Sequence, residues 1–206
     1  MPALDLGTTK GVCEIAYDGL RDERYRFHDG SIWRIRDHRA TMLSGFKGIV
    51  TVKEGQDSPV VLAFAGTDSA LDVLVDATQV GGQLPAQYIQ ALIWAQQLFG
   101  QEGSRLVLAG HSLGGGLAAY CSVNTRAPAC TVNPAPLVGA MSFGALGSNP
   151  QITNYIARNE FVSSSPGRNP GTDVVVPSAG GMMSFFTDHS LSSIAPSIPL
   201  PTKVVR

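Results

Sequence analysis

A turn of glycine, serine and glycine between a predicted strand and a predicted helix constrains this chain more than any other feature. Residues 105–109 form a short apolar run that predicts a buried strand. The turn at 110–114 has the sequence Gly-His-Ser-Leu-Gly, and the mostly small residues 115–119 after it predict a helix that packs closely on a sheet. Strand, tight turn and helix are the context that a G-x-S-x-G nucleophile elbow requires.

The elbow makes Ser112 the candidate nucleophile. Gly110 and Gly114 lack side chains that would collide where the strand and the helix approach each other. The helix would direct backbone N–H groups and a partial positive charge at the serine oxygen. Such a site suits an oxyanion, and the N–H of Leu113, the residue after the nucleophile, is the first expected donor.

Strand and helix patterns alternate along the chain. Apolar and polar residues alternate on both sides of 29–30, an Asp-Gly pair, which predicts a β-hairpin. Leu84–Phe99 has the apolar spacing of an amphipathic helix, with Pro85 in its first turn and Gly100 as its stop. Further strands are predicted at 48–53, 60–65, 130–133, 152–157 and 173–177.

These elements predict one α/β domain over residues 1–206, with a mostly parallel central sheet flanked by helices and an N-terminal β-hairpin. Residues 1–23 show little periodicity, so we expect a surface arm there. The proline-rich tail at 195–201 is expected to be irregular. Cys121 and Cys130 flank a short loop and either form a disulfide or remain two buried thiols.

A serine nucleophile needs a general base, and the base needs an orienting carboxylate. In α/β-hydrolases the three follow in the order serine, acid, histidine. His28 and His38 precede the elbow, and His111 lies within it beside the nucleophile. His189 is the only histidine downstream of the elbow and is therefore the candidate base.

Three carboxylates lie between the candidate nucleophile and the candidate base: Glu160, Asp173 and Asp188. Asp188 is adjacent to His189, and sequence neighbours rarely face each other well. Glu160 follows the predicted strand 152–157, at the end where α/β sheets place functional groups. We therefore favour Glu160 as the acid, with Asp173 second.

The oxyanion hole needs a second donor, which we place at Thr67. This residue follows the predicted central strand 60–65 and can offer both its N–H and its hydroxyl to one oxygen. Gly66 beside it would allow a substrate to approach the backbone.

Three segments together resemble the class 3 lipase family, the fungal-lipase-like α/β-hydrolases: Phe-Ala-Gly-Thr at 64–67, Gly-His-Ser-Leu-Gly-Gly at 110–115 and Asp-His-Ser-Leu at 188–191. The resemblance covers about residues 45 to 195, and 67–94 is similar to bacterial lipase-like proteins of this family. It implies the same roles for Thr67, Ser112 and His189.

The sequence departs from the family pattern at two positions. The family acid is usually an aspartate in an Asp-x-Val-Pro turn, whereas the matching turn here begins at Glu160. The longer side chain requires the loop to sit further back. Ala65 stands where many members have arginine, so an ion pair that could brace the oxyanion loop is missing.

The resemblance also implies that residues 68–82 form a lid over the site. Ser69 and Asp72 have the spacing of a helix N-cap box, and a short amphipathic helix would follow. A lid buries its apolar face on the active site in water and turns it to lipid at an interface. The alternative is that the apolar residues Leu71, Leu74 and Val75 simply belong to the core.

Residues and resemblance together predict a serine hydrolase that cleaves carboxylic esters of lipids, either a lipase or a phospholipase of the A type. The expected partner is a lipid or another ester substrate, with transient contact at a membrane surface. Two alternatives remain open. One is a short-chain carboxylesterase or thioesterase, and the other is a non-catalytic hydrolase-like domain that binds lipid or a protein.

Composition and charge argue against other classes. Hydrophobic residues make up 44% of the chain and charged residues 15%, and the net charge of −1 without a long basic run argues against a nucleic-acid partner. The four histidines have no metal-ligand spacing, so we expect no metal and no cofactor. With no apolar span and no usual secretory signal, we expect a cytoplasmic protein or one exported by a signal-independent route.

Overall fold

The computed structural model describes residues 3–56, 59–66, 86–138, 151–158, 169–179 and 190–205. Its helices are α1 (Leu6–Asp18), α2 (Ala86–Glu102) and α3 (Leu113–Thr125), with a 3-10 turn at Gly103–Arg105. Its strands are β1 (Arg24–Arg26), β2 (Ile32–Thr41), β3 (Phe46–Lys53), β4 (Val60–Phe64), β5 (Leu106–His111), β6 (Ala129–Val132), β7 (Ile152–Ala157), β8 (Thr172–Val176) and β9 (Thr202–Lys203).

The strands of these ranges form one sheet in the order β8-β7-β6-β5-β4-β3-β2-β1-β9. The five strands β4 to β8 run parallel, and β3, β2, β1 and β9 extend the β4 side in antiparallel pairs. Phe64 pairs with Gly110, and Gly110 pairs with Thr131, so β4, β5 and β6 end at the same edge. This confirms the predicted mostly parallel sheet and its N-terminal hairpin.

Two hydrophobic layers cover the sheet. α2 and α3 pack on one face through buried residues such as Trp94 and Leu117. α1 packs on the other face through Val12 and Ile15. β4 lies between the layers with every residue buried, which explains why its sequence is a continuous apolar run. In the described part of the chain, none of the helices is long and apolar enough to cross a bilayer.

The expectation of a surface arm over residues 1–23 is wrong, because α1 occupies most of it and is largely buried. Its N-cap, Asp5, accepts a hydrogen bond from the N–H of Thr8 at 2.7 Å. Gly7 and Gly11 are weak helix formers, and burial on most sides leaves no apolar stripe to detect. Both glycines face aromatic rings of the β1–β2 hairpin, where a β-carbon would come within 2.2 and 2.3 Å.

The cysteines form no disulfide. Cys13, Cys121 and Cys130 are free and buried. Cys121 lies in the layer of α2 and α3, and Cys130 lies in the layer on the opposite face of the sheet, so the two cannot pair. Burial raises the pKa of the Cys121 thiol well above its ordinary value, and the same holds for Cys13. These thiols stay neutral and are poor nucleophiles.

The end of α2 also differs from the sequence analysis. α2 continues past Gly100 to Glu102, because this glycine lies on an exposed helix surface where nothing ends the helix. The proline-rich tail at 195–201 is irregular, as expected, and β9 follows it and pairs with β1 between Lys203 and Tyr25.

Candidate active site at the β5–α3 turn

Ser112 has a backbone conformation that residues other than glycine rarely adopt. Its φ is 57° and its ψ is −127°, and it caps the N-terminus of α3 directly after β5. A non-glycine residue in such a region costs about 1–3 kcal/mol and persists only where its surroundings enforce it. A strained serine between a strand and a helix is the backbone geometry that a nucleophile elbow requires.

Backbone hydrogen bonds enforce this conformation. The Ser112 N–H donates to the carbonyl of Val132 at 3.2 Å. The Ser112 carbonyl accepts from the N–H groups of Ala135 at 2.9 Å and Gly116 at 3.1 Å. The turn is thereby tied to the end of β6, to the segment after β6 and to the first turn of α3.

Two glycines allow the helix to begin this close to the sheet. A β-carbon on Gly110 would lie 2.1 Å from the carbonyl oxygen of Gly114. A β-carbon on Gly114 would lie 2.2 Å from the carbonyl oxygen of Phe64, the last residue of β4. The start of α3 therefore rests on the ends of β4 and β5 with no space for a methyl group.

The Ser112 hydroxyl is buried, and no group of the described residues hydrogen-bonds its Oγ. A buried unpaired hydroxyl ordinarily costs about 1–3 kcal/mol, so its presence calls for an explanation. Leu113 is the first residue of α3, where backbone N–H groups have no acceptor inside the helix. The N–H groups and the positive end of the helix dipole would stabilise negative charge that develops beside Ser112.

Tyr17 of α1 also belongs to this site, and the sequence analysis missed it. Its hydroxyl lies 2.8 Å from Nδ1 of His111. A β-carbon on Gly66 would lie 2.7 Å from that hydroxyl and 3.1 Å from Cβ of Ser112. The end of β4, the elbow and the end of α1 therefore meet at one point. No sequence signal pointed to Tyr17, because the helix that carries it was not predicted.

Asp173, the second candidate for the acid, lies away from the elbow. It is the second residue of β8, three strands from β5, or about 14 Å across the sheet. Its Oδ1 accepts a hydrogen bond from Nδ2 of Asn154 at 2.9 Å, and Oδ1 of Asn154 accepts from Oγ1 of Thr131 at 2.7 Å. The carboxylate thus ends a row of polar side chains across three strands.

The segment that follows the candidate base is anchored to α1. Lys10 is almost completely buried, and its Nζ donates to the carbonyls of Ile194 and Ile198, each at 2.8 Å. Burial lowers the pKa of the Lys10 amine, and the nearby Glu14 partly opposes this. The Ala195 N–H donates to the carbonyl of Pro177 at 2.8 Å, which ties the same segment to the end of β8.

Thr67, Glu160 and His189 lie outside the described residues, as does the segment 68–82. The described residues bring Ser112 and Leu113 together with Gly66, and they do not bring Asp173 to them. Within the ranges that the structure covers, no group of three or more histidine, cysteine, aspartate or glutamate residues could hold a metal ion.

Among solved structures, a triacylglycerol lipase from Penicillium expansum is similar to this chain with a TM-score of 0.58. The match covers 96% of this chain and 81% of that one at 13% sequence identity. At this identity the likeness concerns the fold alone, and with the sheet described above it shows an α/β-hydrolase fold.

An extracellular phospholipase A1 from Serratia liquefaciens is 43% identical to this chain over 94 residues. The match covers 46% of this chain and 29% of that protein, so the chain spans less than a third of its relative. The family model of the Tle-like phospholipase domain, described as phospholipase-like, matches residues 15–144, more than half of the chain. This chain therefore belongs to the Tle-like phospholipase domain family.

Proposed function

We propose that this protein hydrolyses carboxylic esters of lipids through Ser112 as the nucleophile. The main support is the geometry of Ser112. Its backbone is strained, its hydroxyl is buried at a helix N-terminus, and no described group hydrogen-bonds that hydroxyl. Backbone strain and a buried hydroxyl without a partner each lower the stability of the folded state. A role as nucleophile explains why this position has both. Membership of a phospholipase domain family supports the same chemistry.

In the proposed reaction His189 accepts the proton of Ser112 as the serine oxygen attacks the ester carbonyl carbon. The carbonyl oxygen becomes an oxyanion, which the N–H of Leu113 and the N–H and hydroxyl of Thr67 stabilise. The intermediate collapses when His189 passes its proton to the departing alcohol. A water molecule, deprotonated by His189, then attacks the acyl-enzyme, and His189 returns that proton to the Ser112 oxygen as the carboxylic acid is released.

We propose Glu160 rather than Asp173 as the acid that orients the base. Glu160 comes three residues after the end of β7, and the parallel strands end at the edge that carries Ser112. The side chain of Asn133 accepts the N–H of Ala157 at 2.8 Å, which fixes the end of β7 beside β6. Asp173 instead comes three residues before the end of β8, and Asn154 already binds its carboxylate.

The substrate we propose is the acyl ester of a phospholipid or another glyceride. The Serratia relative is named a phospholipase A1, and a domain of the same family is expected to act on the same class of bond. That relative is also described as extracellular, so we propose that this chain is exported. A moving lid formed by residues 68–82 remains part of the proposal.

The test compares wild-type protein with Ser112→Ala on p-nitrophenyl esters of increasing acyl length and on a phospholipid. We expect activity that rises with acyl length and falls by at least about a thousandfold in the variant, because the nucleophile is removed. Ser122→Ala is a matched control. It removes another buried hydroxyl of α3, one that donates to the carbonyl of Ala127, and should keep its activity.

The alternative functions give different results in the same assay. Activity confined to acetate and butyrate esters would indicate a short-chain esterase. A folded wild-type protein that hydrolyses no ester and fails to react with a fluorophosphonate probe at Ser112 would overturn the catalytic proposal in favour of a binding domain. Equal rates for wild type and Ser112→Ala would show that another residue is the nucleophile.

A further inference from the structure

Two large apolar side chains stand fully in solvent at the tip of the β2–β3 hairpin. The relative exposure of Met42 is 101% and that of Leu43 is 102%. They lie in the short loop that the Thr41–Phe46 pair closes. A single exposed apolar residue is ordinary, but two adjacent ones at a hairpin tip form a protruding apolar point.

The tip lies at the edge of the sheet that carries the elbow. Gly48 of β3 pairs with Phe64 of β4, which in turn pairs with Gly110 of β5. Residues 42–45 continue beyond this level, on the same side as Ser112. The β3 strand is two strands from β5, so the tip is about 10–15 Å to the side of the candidate nucleophile.

The first half of α2 extends the same apolar surface. Ser44 in the hairpin tip donates its hydroxyl to the side chain of Gln90 at 2.6 Å. Ile89 and Ile93, on either side of Gln90 along the helix, are 45% and 50% exposed. We call Met42, Leu43, Ile89 and Ile93 together the hairpin–helix surface.

The charges around this surface identify its partner. Residues 38–53 contain no aspartate or glutamate, and residues 86–101 contain no charged residue of either sign. Two cations flank the tip. Arg39 lies 4.6 Å above the ring of Trp94, whereas Lys47 donates its ammonium to the carbonyl of Tyr17 and lies 3.9 Å from the exposed carboxylate of Asp18. An apolar point with flanking cations and almost no carboxylates complements phospholipid, whose phosphates are anionic and whose interior is apolar.

We propose that the hairpin–helix surface docks the protein on a phospholipid bilayer, with Met42 and Leu43 entering the boundary between headgroups and acyl chains. Arg39 then faces the lipid phosphates, while Lys47 stays on the carbonyl of Tyr17. This rests on the proposed function, because docking at this edge would bring Ser112 to the surface from which a lipid ester must be taken. The hairpin tip would bind lipid independently of residues 68–82.

The test measures partitioning onto vesicles whose lipids cannot be hydrolysed. Vesicles of diether phosphatidylcholine, and of equal parts diether phosphatidylcholine and diether phosphatidylglycerol, are mixed with wild type, with Met42→Ser/Leu43→Ser and with Val205→Ser. Bound protein is separated by flotation. Val205 is a matched control, since it is 87% exposed and follows β9, at the far side of the sheet from β5.

We expect wild type and Val205→Ser to bind both vesicles, and the double variant to lose at least about tenfold in partitioning, because two large apolar side chains leave the lipid boundary. All three should hydrolyse p-nitrophenyl butyrate at the same rate. Equal partitioning of wild type and double variant, or no binding by wild type, would overturn the docking surface. A wild-type dimer that the double variant dissociates would assign the surface to a second copy and overturn it too.

The two proposals fail separately in this experiment. If none of the three proteins hydrolyses any ester of the acyl series or reacts with the fluorophosphonate probe, the proposed function is overturned, while the partitioning still decides whether the surface binds lipid.

Discussion

The parallel and antiparallel halves of the sheet share the same two hydrophobic layers but differ in the contacts that surround them. At the elbow, in the parallel half, backbone meets backbone, and β-carbons on Gly110 and Gly114 would overlap carbonyl oxygens at 2.1 and 2.2 Å. The antiparallel half instead carries ion pairs on its surface, such as Arg24–Glu54 at 2.7 Å and the pair of Lys203 with Glu23.

The two halves should differ in how much a substitution destabilises them. Close backbone packing leaves no free volume, so one added methyl group must displace a helix or a strand. Surface ion pairs are worth about 0–1 kcal/mol each, and solvent replaces a lost partner. We therefore expect large effects from small substitutions at the elbow and small effects from charge changes in the antiparallel half.

Gly110→Ala should have the largest effect. The new methyl group would overlap the start of α3, so we expect a loss of at least about 3 kcal/mol in the free energy of unfolding and a collapse of esterase activity. The measurement is urea denaturation together with hydrolysis of a soluble ester.

Gly100→Ala is the matched control for this prediction. Its β-carbon would meet nothing within 4 Å on the exposed surface of α2, so we expect a gain of about 0.5–1 kcal/mol and unchanged activity. A Gly110→Ala variant as stable and active as wild type would show that the elbow can relax. It would contradict the conclusion that the start of α3 has no space for a methyl group.

Tyr17→Phe should have an intermediate effect and change kcat rather than KM. The substitution removes a hydroxyl that lies 2.8 Å from Nδ1 of His111 and beside Gly66, so the backbone next to Ser112 is held less firmly. We expect kcat on a soluble ester to fall roughly tenfold, the equivalent of one hydrogen bond, with little change in KM or Tm.

Tyr25→Phe is the control, because it also removes a tyrosine hydroxyl but leaves the elbow untouched. Tyr25 donates to Glu23 at 2.7 Å in the antiparallel half, far from the elbow. Its kcat should equal that of wild type. A fall in kcat of the same size in both variants, or a fall only in the Tm of Tyr17→Phe, would assign Tyr17 a structural role alone.

The elements that could be predicted from the sequence are determined by residues close together in the chain. The β4 run, the β1–β2 hairpin and the turn around Ser112 each depend on residues that are neighbours in the chain. Apolar runs, an Asp-Gly pair and closely spaced glycines therefore revealed them. Glycines at 110 and 114 could be assigned a packing reason because the strand and the helix that they join are adjacent in sequence.

The parts that escaped prediction depend on contacts distant in sequence. α1 is helical because the sheet buries it, and Lys10 is tolerated inside because it reaches carbonyls of residues 194–198. Tyr17 joins the elbow only once α1 has packed across the sheet. No pattern within residues 1–23 encodes the partners that make these positions useful, and tertiary packing overrides weak helix propensity.

Glu23→Gln should have the smallest effect, and its size should depend on pH. Burial alone would raise the pKa of the Glu23 carboxyl, but hydrogen bonds from Lys203, Tyr25 and the Leu20 N–H outweigh it and lower the pKa from 4.5 to about 2. A lowered pKa in the folded state stabilises the protein fully above 4.5, and this is lost as the pH falls toward 2.

We therefore expect Glu23→Gln to lower the Tm by about 2 °C at neutral pH, because the site is close to solvent and its charges are screened. The difference from wild type should shrink as the pH falls below 4.5, and kcat should not change at any pH. Asp18→Asn is the control, since this fully exposed carboxylate lies 3.9 Å from Lys47 and should leave the Tm unchanged. A Tm difference that is constant with pH would mean that Glu23 acts through its shape rather than its charge. A loss of kcat would mean that the antiparallel half is coupled to the elbow more tightly than its surface ion pairs indicate.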